Sequence, residues 1–303
     1  MGIRLETPST RTHFEQWAAI MEQVEGDVYD VDELAHVMQD DEESAWILAS
    51  RGGEPLGCGV GRPSSIAGSL YAMARVLPEH RRQGVGAALY EALSKHAAGR
   101  GLSSLWGRIE EGDAASRRFA ENRGFREVSR EYEVVLDVAG VDVAVGPPPG
   151  VELVSLAERP DLVRPVYEAD AEVGPDVPSH EEAHEPMTFE RWHAIYLEGP
   201  GAMPDACIVA LVDGEVAGYT GLRRRGSASP TAENLLTAVR RPWRRRGIAT
   251  ALKREQILRA REAGVEQIYT TNDETNVAMR GVNERLGFRP APTRILVSGP
   301  LAR

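Results

Sequence analysis

The chain has 303 residues, of which 42% are hydrophobic and 27% are charged, and its formal net charge is −11. These proportions are typical of a soluble globular protein, and the length suits two domains of ordinary size. The chain has no apolar run long enough to span a membrane, and its first residues lack the apolar segment of a secretory signal. Its two cysteines, Cys58 and Cys207, stand in different halves without the spacing of metal ligands. We therefore predict a cytoplasmic protein with no membrane partner and no bound metal.

The first half alternates between strand and helix patterns. Thr12 is expected to cap the first helix, and Asp113 is expected to cap the last. The predicted elements are strand 3–6, a helix from 12, helix 32–39, strands 45–49, 56–60 and 69–76, helix 84–98, strand 104–109, helix 113–122 and strand 131–138. Between residues 22 and 43 there are ten acidic residues and no Lys or Arg. This stretch predicts either a solvated acidic face or an acidic rim over a cation site.

The same order returns after a proline-rich segment. Residues 141–150 contain three consecutive prolines and predict a semi-rigid linker between domains at 1–140 and 151–303. Residues 172–187 predict an irregular loop. The other elements are strand 151–155, helices 162–171 and 188–196, strands 207–212, 216–222 and 234–239, helix 248–263, strand 268–272, helix 276–285 and strand 293–297.

Each half contains a glycine turn between a strand and a helix. In the second half the turn reads Arg244-Arg245-Arg246-Gly247-Ile248-Ala249, and in the first half it reads Arg81-Arg82-Gln83-Gly84-Val85-Gly86. The first amides of a helix have no internal partner and carry partial positive charge, so such a turn suits a pyrophosphate. The arginines Arg240–Arg246 also fit a nuclear signal or a DNA contact. We favour the phosphate turn, because Gly247 and a helix follow at the spacing of such a site.

The two turns belong to an internal repeat. Residues 76–126 align without a gap with residues 239–289, and 15 of the 51 pairs are identical. A repeat of this length indicates a duplicated domain rather than a solenoid unit.

The order of elements, the two turns, Asn276-x-x-Met279 and Arg285-Leu286-Gly287-Phe288 resemble the GNAT superfamily of acyl-CoA N-acyltransferases. The resemblance covers nearly the whole chain twice. It implies an α/β protein of two tandem GNAT-like domains, each a twisted mixed sheet flanked by helices. It further implies acetyl-CoA as co-substrate and a small-molecule amine as acceptor. The net charge of −11 does not support the basic face that a nucleic-acid binder usually shows, so no nucleic-acid partner is expected.

The resemblance also assigns residues to acetyl-CoA. The turn amides would bind the pyrophosphate, the end of the preceding strand would bind the pantetheine, and Asn276 would face the coenzyme. Asp113 takes the place of Asn276 in the first half. The implied set is Ala238, Val239, Arg244, Arg245, Arg246, Gly247, Ile248, Ala249, Thr250, Asn276 and Met279 in the second half, and Val76, Arg81, Arg82, Gln83, Gly84, Val85 and Gly86 in the first.

The two halves differ in the residues that would act as general base in acyl transfer. Glu233 stands six residues before Val239 and resembles the strand glutamate that serves as general base in some family members. The alternative is an exposed acid at the start of a strand. The gap-free alignment pairs Glu233 with Leu70, so the second half is the better catalytic candidate. The tyrosine that many family members use as general acid is replaced by Asn283 and Ala120.

The sequence therefore predicts an N-acetyltransferase in which a primary amine of a small, cationic acceptor attacks the thioester of acetyl-CoA directly. The missing tyrosines leave open a non-catalytic acyl-CoA-binding or regulatory protein. The acidic stretches 22–43 and 168–185 are the basis for expecting a cationic acceptor.

Overall fold

The structure is a computed structural model that describes residues 2–41, 43–64, 66–176, 187–199, 201–272 and 276–302. The strands are β1 (Arg4–Glu6), β2 (Ala45–Arg51), β3 (Glu54–Pro63), β4 (Ser69–Val76), β5 (Ser104–Glu110), β6 (Arg126–Asp137), β7 (Val151–Ser155), β8 (Ile208–Val212), β9 (Glu215–Arg224), β10 (Thr231–Val239), β11 (Gln267–Asn272), β12 (Arg289–Pro290) and β13 (Arg294–Pro300). The helices are α1 (Arg11–Glu25), α2 (Val31–Asp40), α3 (Val85–Gly99), α4 (Ala114–Glu121), α5 (Val163–Val173), α6 (Phe189–His193), α7 (Ile248–Glu262) and α8 (Val277–Leu286). In the part of the chain so described, no helix combines the length and the apolar character needed to cross a membrane.

The chain forms two compact units, one of residues 1–131 with 292–303 and one of residues 132–291. In the first unit the sheet order is β1-β2-β3-β4-β5-β13-β6, with β4 and β5 parallel and the other neighbours antiparallel. One core lies between the sheet and α1 and α2, around Trp17 and Leu48. A second core lies under α3, around Leu89 and Leu93.

The second unit repeats this plan. Its sheet runs β6-β11-β10-β9-β8-β7, β12 pairs with β6, and the parallel pair is β10 with β11. Helices α5 and α6 cover one face around Trp192, whereas α7 and α8 cover the other around Ile257. The mixed α/β class predicted from the sequence is confirmed.

The limits of the two units differ from the division predicted at the linker. The first boundary falls inside strand β6, because Tyr132–Asp137 pair with β11 of the second unit. The second boundary falls before strand β13, because Arg294–Pro300 pair with β5 of the first unit. The first unit therefore contains β13 from the second half of the sequence, and the second unit contains the end of β6 from the first half.

Local signals set most helix ends. Asp113 and Asn276 cap α4 and α8, as expected, by accepting hydrogen bonds from backbone amides of the first turn. The expected cap of α1 was Thr12, which is wrong: Thr10 caps this helix by accepting from the amide of His13. The helix begins two residues earlier than expected, because Arg11 and Thr12 already take part in it.

Candidate functional site

The two glycine turns have the same backbone conformation. After β10, a single 3₁₀ turn at Arg241–Trp243 leads to Arg245, whose φ is +61°, and to Gly247, whose φ is +81°, at the start of α7. After β4, Arg82 and Gly84 repeat these angles at +63° and +88°. Left-handed residues before a helix turn successive amides toward one point, which makes a cradle for an anion.

The first arginine of each turn ties the turn to its strand. Arg244 Nε donates to the carbonyl oxygen of Val239 at 2.9 Å, and Arg81 Nε donates to that of Val76 at 3.2 Å. These arginines thus fix the turn, while the cradle is formed by backbone amides.

A cavity of about 850 Å³ opens beside the second turn. Ten of the residues that the sequence assigned to acetyl-CoA line it: Ala238, Val239, Arg244, Arg245, Gly247, Ile248, Ala249, Thr250, Asn276 and Met279. Arg246 and Glu233 are outside the lining. The predicted residues of the second turn are therefore brought together around one space large enough for a cofactor-sized ligand.

The cavity extends into a split between two parallel strands. Strand β10 pairs with β11 only over Thr231–Glu233, and the two strands then separate. On its other side β10 pairs with β9, but this pairing shifts by one residue between Asn234 and Thr237. The extra residue is a β-bulge, and the bulged residues Leu235 and Leu236 line the cavity.

A buried polar cluster lies under the bulge. Asn234 Nδ2 is within hydrogen-bonding distance of Thr220 Oγ1, the carbonyl of Gly221 and Gln256 Oε1, at 2.9–3.1 Å. Asn234 Oδ1 accepts from Lys253 Nζ at 2.9 Å. Lys253 is 2% exposed, and burial lowers its pKa to about 7.

Asp176 was not predicted as a site residue, yet it lines the cavity and binds the turn. Its carboxylate accepts from Arg241 Nε at 2.9 Å and from Arg244 Nη2 at 2.6 Å, and these bonds hold the pKa of Asp176 well below its usual range. Arg240 pairs in the same way with Glu172 at 2.7 Å. Two acids of the predicted stretch 168–185, Glu172 and Asp176, thus neutralise turn arginines, and residues 177–185 of that stretch lie outside the described residues.

Glu233 lies beside β9 and β11, on the strand that leads to the bulge. Its carboxylate is 3.8 Å from Arg223 Nη2, and its side chain is 37% exposed. On a neighbouring strand, Tyr219 donates to Asp170 of α5. Burial raises the pKa of Tyr219 well above its ordinary value, so this phenol stays protonated at neutral pH. The role of Glu233 as a base stays a prediction.

In the first unit, Tyr71 occupies the position equivalent to that of Glu233, and the predicted equivalence with Leu70 is wrong. Glu233 pairs with Arg223 and Tyr269, and Tyr71 pairs with the matching residues Arg62 and Trp106. The bulge explains the difference, because β10 has one residue more than β4, whose pairing with β3 is regular. Tyr71 cannot act as a carboxylate base either, and its ring packs on Trp106 at 4.9 Å.

Two further features distinguish the first turn. A Cβ built on Gly86 would lie 3.2 Å from the ring of Phe119, so this ring fills the space beside the helix start. The residue aligned with Phe119 is Val282, which lines the cavity of the second unit. Partial burial opposes ionisation of Asp113, but hydrogen bonds from Ser116 and Ala115 lower its pKa below the ordinary value. A carboxylate thus stands where the second unit has Asn276.

The model of the acetyltransferase (GNAT) family matches residues 11–125 and again residues 165–288. The chain belongs to the GNAT family. The family match covers both halves, as the internal repeat predicts. A comparison with curated protein sequences found no match.

Solved structures of GNAT proteins share the fold. A tandem GNAT protein from the clavulanic acid biosynthesis pathway is 19% identical, with 100% of this chain and 99% of that chain covered and a TM-score of 0.77. A GCN5-related N-acetyltransferase from Sphaerobacter thermophilus is also 19% identical, with 99% and 96% covered and a TM-score of 0.73. At this identity the likeness shows the fold, and the predicted tandem GNAT arrangement is confirmed.

Proposed function

We propose that this GNAT protein is an acetyl-CoA-dependent N-acetyltransferase whose second unit is catalytic. The observation that carries the proposal is the cavity of about 850 Å³, in which an anion cradle at Gly247 adjoins the split between β10 and β11. The pyrophosphate of acetyl-CoA would bind the amides of residues 245–249, where the helix dipole favours negative charge. The pantetheine arm would then follow Ala238 and Val239 into the split.

The reaction would be a direct transfer. The neutral amine attacks the thioester carbon, a C–N bond forms, and the C–S bond breaks to release the coenzyme A thiolate. Glu233, directly or through a water, would take the proton that the amine loses. A thiolate is a tolerable leaving group because thiol pKa values are about 8.5, so the absence of a tyrosine at Asn283 does not prevent the step.

We further propose a small cationic amine as the acceptor. Glu172 and Asp176 pair closely with arginines, at 2.7 and 2.6 Å, whereas Glu233 is 3.8 Å from Arg223 and 37% exposed. The support from described residues therefore rests on Glu233, on Asp170, which accepts from Tyr219, and on the net charge of −11. These groups would attract an ammonium ion to the face of the sheet that carries α5.

The second candidate is a protein that binds acyl-CoA without turnover. It is favoured by Asn283 and Ala120, which are both buried where many family members have a tyrosine. Free thiol release from acetyl-CoA with a panel of amines, followed by mass analysis of the acceptors, separates the two candidates. Tight acetyl-CoA binding without thiol release in the presence of any amine would favour the second.

A further inference from the structure

The polar cluster under the bulge of β10 joins two elements that border the cavity. Asn234 Oδ1 accepts from Lys253 of α7 at 2.9 Å and from Thr237 Oγ1 at 3.2 Å. Thr237 Oγ1 also lies 2.8 Å from Thr220 Oγ1 on β9. Asn234 and Thr237 are the residues on either side of the bulge, so the cluster ties its two ends together. Lys253 is the only member with a formal charge among these four residues.

The first unit has neither the bulge nor the cluster. Its strand β4 pairs with β3 without a register shift. The strand registers and the gap-free repeat match Thr220, Asn234, Thr237, Lys253, Gln256 and Thr270 with Gly59, Ala72, Ala74, Tyr90, Leu93 and Gly107. Small, apolar or aromatic residues therefore suffice to build this part of the fold. The polar set is an addition that accompanies the bulge.

Lys253 is an unfavourable residue for stability alone. Among the described residues no carboxylate pairs with its buried ammonium, which donates to Asn234 and lies 5.0 Å from the centre of the Phe288 ring. Burial without an ion pair disfavours the charged form, which is why its pKa is lowered to about 7. Residues that break local rules of stability concentrate at functional sites.

We propose that Lys253 is a positioning residue for acyl transfer, which holds Asn234 and thereby fixes the bulge of β10 at the mouth of the split. The bulge skips Leu235 and Leu236 in the pairing with β9, so their backbone groups are directed by the bulge geometry rather than by a neighbouring strand. Under the proposed function, on which this inference rests, these groups lie beside the thioester. A small rotation at Asn234 would displace them from the reacting carbon.

The test is Lys253→Met, which keeps an unbranched side chain one atom shorter and removes its donor. The expected result is a fall in kcat of about 10- to 100-fold, because misplacement by about 1 Å costs this much. The KM for acetyl-CoA should stay within about twofold, since the phosphate cradle is unchanged. The melting temperature should stay level or rise, since an apolar isostere of a buried charge is often neutral or stabilising.

Two variants control for general damage. Lys253→Gln retains a neutral donor toward Asn234, so its kcat should lie between those of the wild type and Lys253→Met. Ile257→Val is a core change on the same helix, outside the cluster, and should lower the melting temperature with kcat unchanged. Wild-type kcat in Lys253→Met, or a parallel loss of kcat and stability in it, would overturn the proposal.

A failure of the proposed function is recognisable separately, as a wild-type protein that turns over no amine. In that case hydrogen exchange at the amides of Leu235 and Leu236 decides the inference. Faster exchange in Lys253→Met than in the wild type and in Ile257→Val is expected. Equal exchange in the three proteins would overturn it.

Discussion

Gly247→Asp tests whether the second turn binds the phosphates of acetyl-CoA. A Cβ at Gly247 would meet Pro148 Cγ at an ordinary 3.5 Å, so the side chain has room. The φ of +81° costs a residue with a Cβ about 1–2 kcal/mol, and Asp is among the residues that tolerate this conformation. The fold should therefore survive, and the change that matters is the negative charge in the anion cradle.

The size of the effect follows from the charge. Two unit charges roughly 5 Å apart repel by about 3 kcal/mol at the effective dielectric constant of about 20 that suits sites near a protein surface. Since about 1.4 kcal/mol is a factor of ten, the Kd for acetyl-CoA should rise by about 100-fold. Gly247→Asn has a similar shape and φ strain without the charge, so it should lose much less affinity.

Calorimetric titration with acetyl-CoA is the assay, with Gly84→Asp as the matched control in the first unit. Gly84 has a φ of +88° and similar room, since its nearest neighbour would be Ile3 Cδ1 at 3.8 Å. Affinity and turnover should be kept in Gly84→Asp and lost in Gly247→Asp. The reverse pattern would make the first unit the catalytic one. Unchanged affinity in the double variant would refute phosphate binding at either turn.

Three further expectations concern the proposed base Glu233, the buried Lys253 and strand β13. Glu233→Gln should lower turnover at neutral pH by about 10²–10⁴ while acetyl-CoA binding barely moves, and the loss should shrink as pH rises because more amine is already neutral; wild-type turnover with the same pH profile would exclude Glu233. The pKa of Lys253 is about 7 in the folded protein and 10.5 ordinarily, so between these pH values the unfolded chain binds more protons than the folded chain. The wild type should therefore gain stability with rising pH relative to Lys253→Met. A difference in melting temperature between the two proteins that stays constant from pH 6 to pH 10 would contradict this. Deleting residues 292–303 removes β13 from between β5 and β6, so unfolding should begin at a lower temperature, whereas acetyl-CoA affinity should stay within about threefold; loss of that affinity would show that the second unit depends on β13.

Sequence reasoning succeeded where the signal is local. The glycine turn needs a left-handed residue and the start of a helix, and the amino-acid sequence around Gly84 and Gly247 indicates both. The caps Asp113 and Asn276 are visible for the same reason. These local features are enough to place most of the predicted acetyl-CoA residues around the cavity.

The remainder depends on contacts between distant residues. A bulge adds one residue to β10 between Asn234 and Thr237. The gap-free alignment is correct from Val239 onward, so it does not show that the residues before the bulge are shifted by one position. The match of Glu233 with Tyr71 is therefore visible only from strand pairing. Asp176 reaches Arg244 across 68 residues of sequence, and no spacing rule indicates such a contact.

The discontinuity of the first unit has a consequence for cutting and rejoining the chain. Glu131, where the chain leaves this unit, is paired with Arg294, just after the chain returns. In topology the second unit is thus an insertion at the tip of an antiparallel hairpin. Joining Glu131 to Arg294 through a two-residue Asn-Gly turn would restore that hairpin, because such turns fit the twist of paired strands. Residues 132–291 would then form a contiguous fragment that carries the whole candidate site. Division at this point keeps the residues of each unit together, whereas a cut at the proline-rich segment divides both units.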